Sequence, residues 1–294
     1  MKRFSDSRSS RCCLALILLF FFNVGTSTAD STPEYTLQCE GIVRTYRLHI
    51  PDELPENAPL VIVLHGYGNP RPGVLNETAD RHRFAVCYPQ GEKDNRGKAC
   101  WNVGYPFQQD MTVDDVEFLS QLVHHLQLKH GFSKRNVFCV GMSNGGEMCY
   151  QLAAQRPGLF AAVAPISGLM LNWLYLSDRS TVPVPLFEIH GTEDKTSVWE
   201  GDPHNSGGWG EYLPVPLAVH HCVARNRCTT MHADTVVGKA PNHRQIVRHR
   251  FSGGLNGSEV WLHEVVGAGH SWFWEDMDTG EELWSFFSRF VKND

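Results

Sequence analysis

The sequence predicts an α/β protein with a mostly parallel central sheet and helices on both faces. Three short apolar runs lie at 59–64, 84–89 and 136–140, and the first is unbroken from Leu60 to Leu64. Such runs are typical of strands that helices cover on both sides. A segment that can form a crossover helix precedes the second and the third run, and this βαβ order indicates parallel strands.

Further strands extend this sheet in both directions along the chain. Between 35 and 50, apolar and polar residues alternate on either side of Glu40 and Gly41, which predicts an antiparallel hairpin at the sheet edge. Later apolar runs predict strands at 161–166, 185–189 and 260–266, and the chain is expected to close with a helix at 279–291.

The clearest helix is predicted over 112–130, where an apolar stripe faces Asp and Gln residues. Thr112 and Asp115 have the spacing of a capping box with Asp in place of Glu. The carboxylates of Asp114 and Asp115 also favour the positive end of the helix dipole. We therefore interpret these two acids as residues that start the helix rather than as catalytic groups.

The N-terminus has the three-part layout of a signal peptide. Basic residues precede an apolar run from Cys12 to Val24, and small residues follow as far as Ala29. The run has about a dozen residues, whereas a membrane-spanning helix needs roughly 20. We expect cleavage of residues 1–29 and export of one catalytic domain, 30–294, without a membrane anchor; periplasmic and extracellular destinations both stay open.

Charge argues against nucleic acid as a partner. Removal of residues 1–29 takes away four basic side chains and one acidic one, so the formal net charge falls from −6 to −9. An acidic protein is repelled by phosphate backbones and by anionic membranes, whereas a neutral polymer is compatible with this charge. The sequence does not indicate an oligomeric state.

The mature chain keeps seven cysteines, an odd number, in a compartment that permits disulfides. Cys222 and Cys228 are close enough in sequence to form a bridge, and the bridged and free states are equally supported. Cys139 and Cys149 lie in apolar segments and are expected to be buried thiols. The histidines that could bind a metal lack the spacing of metal ligands; they are His220, His221, His243 and His249. We therefore expect neither a metal nor another cofactor.

The segment Gly141-Met-Ser143-Asn-Gly145 carries the main chemical signal. It follows the apolar run at 136–140 and precedes a stretch of helical character, which is the context of the nucleophile elbow in α/β-hydrolases. The turn is tight, and glycines at its flanks avoid collisions with strand and helix. The pattern predicts Ser143 as a nucleophile.

A serine nucleophile needs a histidine base and an acid that orients it. In this fold the acid comes next in the chain and the histidine last. Asp194 follows the strand predicted at 185–189 and is the expected acid, with Glu193 and Asp202 as competitors. His270 follows the strand predicted at 260–266 and is therefore selected from fifteen histidines.

Two backbone N–H groups must bind the oxyanion of the tetrahedral intermediate. One is expected from Asn144, directly after the serine. The other is expected from Tyr67, in the loop that follows the first central strand, where glycines allow close backbone approach. His65 in the same loop is compatible with a structural role.

Several motifs together resemble the secreted carboxylesterases of the feruloyl esterase and polyhydroxybutyrate depolymerase group. They are LHGYG at 64–68, CWN at 100–102, VDDVEF at 113–118, GMSNGG at 141–146, HGTEDK at 190–195 and GAGHSW at 267–272. The resemblance covers the chain from about Tyr46 onwards. It implies hydrolysis of carboxylic esters without a cofactor, and by position it assigns the same triad and the same oxyanion donors.

The resemblance leaves the substrate open among feruloyl esters of arabinoxylan, acetyl esters of xylan and hydroxybutyrate polyesters. The loop after the expected acid carries Trp199 and Trp209, and Trp272 follows His270. These rings could stack on a ferulate ring or merely pack a long loop. We expect a feruloyl esterase that acts on plant cell-wall polysaccharide; a serine peptidase and a binding module without activity are more distant alternatives.

Overall fold

The strands form one sheet whose middle is parallel. The computed structural model describes residues 32–292, so the predicted signal peptide lies outside the described residues. Within them the strands are β1 (Glu34–Cys39), β2 (Ile42–His49), β3 (Leu60–Leu64), β4 (Ala85–Pro89), β5 (Val137–Met142), β6 (Ala162–Ile166), β7 (Leu186–Gly191), β8 (Thr230–Val237), β9 (Gln245–Ser252) and β10 (Val260–Val265).

The strand order is β1-β2-β4-β3-β5-β6-β7-β10-β9-β8. The six strands from β4 to β10 in this order pair in parallel, whereas β1, β2, β8 and β9 pair antiparallel at the two ends. The predicted fold class is therefore confirmed, as are the hairpin at the sheet edge and the central strands. The β8–β9 hairpin was not predicted.

Helices cover both faces of the sheet. They are α1 (Asn76–His82), α2 (Asp115–His130), α3 (Asn144–Gln155), α4 (Asn172–Ser177), α5 (Val215–Asn226) and α6 (Thr279–Phe287), with short 3₁₀ turns at Pro106–Gln108, Leu255–Gly257 and Ser288–Phe290. Side chains of β3 alternate between two buried apolar clusters: Leu60 and Ile62 join the cluster that contains α2, α3 and α5, and Val61 joins the one that contains α1 and α6. None of the helices in residues 32–292 is long and apolar enough to cross a bilayer.

The start of α2 differs from the prediction. The helix begins at Asp115, and the side chain of Asp114 accepts a hydrogen bond from the Glu117 N–H, so Thr112 does not cap it. Asp115 is buried and binds the Arg44 guanidinium at 2.6 Å and the Asn102 N–H at 2.7 Å. The capping-box interpretation is wrong because Asp115 turns into the core, where a buried cation and a backbone donor satisfy it.

Candidate active site

Ser143 lies in a strained turn between β5 and α3. Its φ of 55° and ψ of −122° are unusual for a residue with a side chain. A Cβ atom on Gly141 would collide with the Gly145 carbonyl, and one on Gly145 would lie 2.5 Å from the Leu64 carbonyl oxygen. The two glycines therefore permit the turn, and the turn presents the serine at the carboxyl edge of the sheet.

His270 and Asp194 meet at the same edge. They follow β10 and β7, which are neighbouring parallel strands. His270 Nδ1 lies 2.7 Å from Asp194 Oδ2, while Asp194 Oδ1 accepts hydrogen bonds from the N–H groups of Thr196 and Ser197, both at 2.8 Å. Burial alone would raise the pKa of Asp194, but the contacts with His270 and Ser197 outweigh it and the pKa is lowered. The carboxylate is thus held ionised against the imidazole.

The two competing acids do not reach this histidine by a hydrogen bond. Glu193 is exposed to solvent. Asp202 accepts hydrogen bonds from the N–H groups of His204 and Gly207 in its own loop. Of the three acids that the sequence offered, the structure brings Asp194 to His270.

A cavity of about 580 Å³ joins Ser143 and His270, which both line its wall. Both side chains are half-buried, so solvent and ligand can reach them. Within residues 32–292 the Ser143 hydroxyl makes no hydrogen bond.

The loop with Tyr67 abuts the serine. A Cβ atom on Gly66 would lie 3.3 Å from the Met142 sulfur and 3.4 Å from the Ser143 Cβ, so the backbone of this loop packs closely against the elbow. The Tyr67 hydroxyl donates to Asp94 at 2.5 Å, and Asp94 also accepts the N–H groups of Arg96 and Lys98. These bonds hold the loop in place. His65 bonds inside the same region, where its Nε2 accepts the Gly91 N–H at 3.0 Å.

Trp101 connects the two candidate oxyanion segments, a role that the sequence did not reveal. Its indole N–H donates to the His65 carbonyl at 2.9 Å. Its backbone N–H donates to Asn144 Oδ1 at 2.7 Å, and Asn144 Nδ2 donates back to the Trp101 carbonyl at 3.1 Å. The Cys-Trp-Asn motif was the only signal for this residue, and the motif by itself did not indicate its partners.

Of the three tryptophans that the sequence indicated, two line the cavity and one does not. Trp209 and Trp272 line the cavity, as does Trp274, which stacks on Trp272. Trp209 also contacts the Tyr67 ring edge-on, with 5.4 Å between centroids. Trp199 does not line the cavity and instead packs near His190, so its expected contact with substrate is not supported. Its ring is half-buried and packs against the apolar cluster that contains α2, α3 and α5.

Cys222 and Cys228 are both free thiols, so the possible bridge between them is not formed. Cys222 lies buried on α5, where its sulfur faces Arg225. Cys228 follows the left-handed end of α5 at Arg227, and its thiol is directed at the Ser258 carbonyl. The helix end thus turns the second thiol away from the first. Cys139 and Cys149 are buried as predicted, with 3.7 Å between their sulfurs.

In the described part of the chain, no cluster of three or more His, Cys, Asp or Glu side chains has the arrangement of a metal site. The histidines on α5 illustrate this point. His221 binds Asp178 at 3.0 Å, and His220 packs edge-on against Phe251. These two rings therefore have protein partners of their own.

Glu147 is a second buried carboxyl near the elbow, and it leads to a prediction about stability. It accepts a short hydrogen bond from Tyr105, and burial raises its pKa to about 8. A carboxyl whose folded pKa exceeds its unfolded value stabilises the fold at low pH and loses this contribution as pH rises towards the folded pKa. The unfolding free energy of Glu147→Gln minus that of wild type should therefore be larger at pH 9 than at pH 5, by on the order of 3 kcal/mol.

Urea denaturation of both proteins at the two pH values measures this change. Glu193→Gln, an exposed carboxyl, serves as the control and should track wild type. An equal difference between Glu147→Gln and wild type at pH 5 and pH 9 would contradict the buried, protonated state of Glu147.

Comparison with known proteins relates part of the chain to a described family. Residues 44–181 match a family model described as Esterase PHB depolymerase. The match covers just under half of the chain. It confirms the resemblance inferred from the motifs. The matched segment contains the elbow at Ser143 and the Tyr67 loop, whereas Asp194 and His270 follow it.

Similar proteins are esterases by name. A protein of Nocardia uniformis subsp. tsuyamanensis named as an esterase, NocK, is 29% identical over 79% of this chain and 71% of its own. Poly(3-hydroxyalkanoate) depolymerase C of Paucimonas lemoignei is 34% identical over 41% of this chain and 30% of its own. Other relatives are named feruloyl esterase and acetylxylan esterase, and the matches span less than two thirds of their lengths.

Among solved structures, the acetyl xylan esterase from Aspergillus awamori is similar to this fold, with a TM-score of 0.58 and 15% identity over 88% of this chain and all of that one. At this identity the likeness concerns the α/β fold. The match to the Esterase PHB depolymerase model and the named relatives together support carboxylesterase activity at the level of the family.

Proposed function

We propose that the protein is a secreted serine carboxylesterase in which Ser143 is the nucleophile, His270 the base and Asp194 the acid. One observation carries the proposal: the strained Ser143 turn opens into the same cavity as a histidine whose Nδ1 lies 2.7 Å from a buried carboxylate. Export through the signal peptide at 1–29 is part of the same proposal.

The reaction would run through an acyl-enzyme. His270 Nε2 accepts the Ser143 hydroxyl proton while Oγ attacks the ester carbonyl carbon, and Asp194 remains ionised beside the imidazolium that forms. The N–H groups of Tyr67 and Asn144 would bind the oxyanion; Asn144 lies in the first turn of α3, where N–H groups lack partners within the helix. The alcohol leaves with the proton from His270, and water then releases the acid by the same steps.

The aromatic wall of the cavity supports an ester with an aromatic acyl group. Tyr67, Trp209, Trp272 and Trp274 line it, and flat rings of this kind stack on a planar ligand. Relatives named feruloyl esterase agree with this chemistry. Feruloyl esters of arabinoxylan are therefore the proposed substrates, with plant cell-wall polysaccharide as the partner. Acetyl xylan and hydroxybutyrate esters are the alternatives that the other relatives' names suggest.

Hydrolysis of four substrates by the protein lacking residues 1–29 tests the proposal. Methyl ferulate, p-nitrophenyl acetate, acetylated xylan and a hydroxybutyrate oligomer would be compared, each with wild type and Ser143→Ala. Serine-dependent release of ferulate well above the other acids is expected. A preference for acetate or hydroxybutyrate would replace feruloyl esters with acetyl xylan or hydroxybutyrate esters as the substrates. The lack of serine-dependent hydrolysis of any ester would favour a peptidase or a binding module.

Trp209→Ala tests the aromatic wall separately. Loss of one stacking ring should raise KM for methyl ferulate by about fivefold to tenfold, because an aromatic pair contributes about 1 kcal/mol beyond its buried area. KM for p-nitrophenyl acetate serves as the reference for general damage to the site. Trp199→Ala is the matched control, since that ring does not line the cavity. Equal changes for both tryptophan variants, or for both esters, would show that Trp209 does not contact the acyl group.

A further inference from the structure

A second histidine lies behind the candidate triad, buried together with a carboxylate. Glu188 and His190 are both on β7, and the side chains of both are inaccessible to solvent. His190 Nδ1 lies 2.8 Å from Glu188 Oε1, and His190 Nε2 lies 2.8 Å from the Ser197 carbonyl oxygen. Charged groups in such a position are costly unless they are paired and hydrogen-bonded.

The partners determine where the protons are. A carbonyl oxygen can only accept, so His190 Nε2 must carry a proton. Glu188 also receives the Tyr150 hydroxyl at 3.1 Å and the Gly168 N–H at 3.3 Å. Burial raises the pKa of Glu188, whereas these two hydrogen bonds and the adjacent His190 favour its ionised form. An ionised Glu188 requires a proton on His190 Nδ1 as well, because two acceptors would otherwise face each other at 2.8 Å. The pair is then an imidazolium and a carboxylate.

Two contacts connect the His190 imidazolium with the candidate acid, Asp194. Its Nε2 is 3.7 Å from Asp194 Oδ2, the same oxygen that contacts His270. The Ser197 peptide also joins them, because its carbonyl accepts from His190 and its N–H donates to Asp194 Oδ1. His190 thus acts on the acid by charge and by fixing the loop that surrounds it.

We propose that His190, held as an imidazolium by Glu188, is a positioning residue that keeps Asp194 ionised and fixed for its contact with His270. The proposal rests on the proposed serine mechanism. His190 does not line the cavity, so it would act through Asp194 and not on the substrate.

The charges around His190 agree with this assignment. Burial alone would lower the pKa of His190, but the hydrogen bond and charge of Glu188 outweigh it and the pKa is raised. Glu147 and Tyr150 face the pair from α3, Asp194 faces it from the following loop, and the Trp199 ring packs near it. The charge of His190 in turn contributes to the lowered pKa of Asp194.

Kinetics of His190→Gln and Glu188→Gln test the proposal. The first variant replaces the cation with a neutral donor, and the second removes the charge that keeps the proton on His190. In both, the acid limb of the kcat/KM profile should move to higher pH by about one unit, because loss of the positive charge 3.7 Å from Asp194 Oδ2 would let the His270–Asp194 pair take up a proton, which inactivates the base, at a higher pH. We expect kcat at pH 6 to fall about tenfold and KM to change less than twofold.

His263→Gln is the matched control. His263 is also a fully buried histidine on the adjacent strand β10, and its ring nitrogens have no hydrogen-bond partner among residues 32–292. Its replacement should change the thermal midpoint without moving the acid limb. An unchanged acid limb in both His190→Gln and Glu188→Gln, or an equal movement in His263→Gln, would overturn the proposal.

The protonation state can be measured without any ester. ¹⁵N-histidine NMR of the wild-type protein, with the His190 ring assigned from its proximity to Trp199, should show both ring nitrogens protonated at pH 7. A neutral His190 ring at pH 7 would overturn the proposal even if neither variant folds. Lack of serine-dependent hydrolysis would refute the proposed function alone, because the NMR result does not depend on it.

Discussion

Ser143→Ala is expected to lower kcat for ester hydrolysis by roughly 10⁶, to the level that binding and oxyanion stabilisation leave behind. The loss follows from the covalent mechanism, since without Oγ no acyl-enzyme forms and His270 has no hydroxyl to activate. The pre-steady-state burst of p-nitrophenol from p-nitrophenyl acetate should vanish as well. Stopped-flow absorbance measures the burst, and steady-state assays measure the remaining rate.

Ser120→Ala provides the control for this change. Ser120 is a buried serine outside the elbow, and its hydroxyl donates to the Val116 carbonyl within its own helix. Its replacement should leave burst and turnover near wild type. A burst that persists in Ser143→Ala would assign the nucleophile to another residue, and circular dichroism of both variants would exclude misfolding as the cause of a lost activity.

The parallel centre of the sheet could be predicted because its signals are local. A strand buried on both faces needs a continuous apolar run, and β3, β4 and β5 each provide one. The order of serine, acid and histidine along the chain then follows from which strand each residue succeeds. The contact itself depends on the strand order of the sheet. Because β7 and β10 are neighbours, the loops that follow them bring Asp194 to His270.

Features that depend on distant pairing could not be predicted in this way. Asp115 has the spacing of a cap, and only the buried Arg44, far earlier in the chain, gives it another partner. Trp101 likewise gains its role from Asn144 and His65, which belong to different elements. In the β8–β9 hairpin, β8 is largely exposed and β9 is mostly half-buried with polar residues on both faces, so neither strand has a clear alternation of apolar and polar residues.

The buried pair of Glu188 and His190 on β7 could be predicted only in part. Glu188 and His190 interrupt an otherwise apolar strand, and this was visible in the sequence. Buried charges are rare unless they are paired, so two ionisable residues two positions apart on one face of a buried strand could have indicated mutual pairing. The connection to Asp194 through Ser197 was not visible, because it depends on how the loop after β7 folds back.

Asp194→Asn is expected to lower kcat by up to about 10⁴ while the fold stays intact. The asparagine side chain can still accept hydrogen bonds from Thr196 and Ser197, so the loop retains its support. The amide cannot stabilise a charged His270, however, and its N–H₂ group would favour the tautomer that leaves the wrong ring nitrogen free to face Ser143. Turnover of methyl ferulate and the thermal midpoint, both measured at the pH optimum of wild type, separate lost catalysis from lost stability.

Glu193→Gln and Asp202→Asn decide whether the acid is assigned correctly. Each replaces a carboxylate with an amide, as Asp194→Asn does. Glu193 is exposed, and the Asp202 carboxylate accepts the Gly207 N–H in its own loop. Both should keep most of the wild-type turnover. Near-normal activity of Asp194→Asn, with a large loss in one of these two, would transfer the role to that acid. It would also remove the basis for a positioning role of His190, since His190 contacts the loop of Asp194 and neither of the other carboxylates.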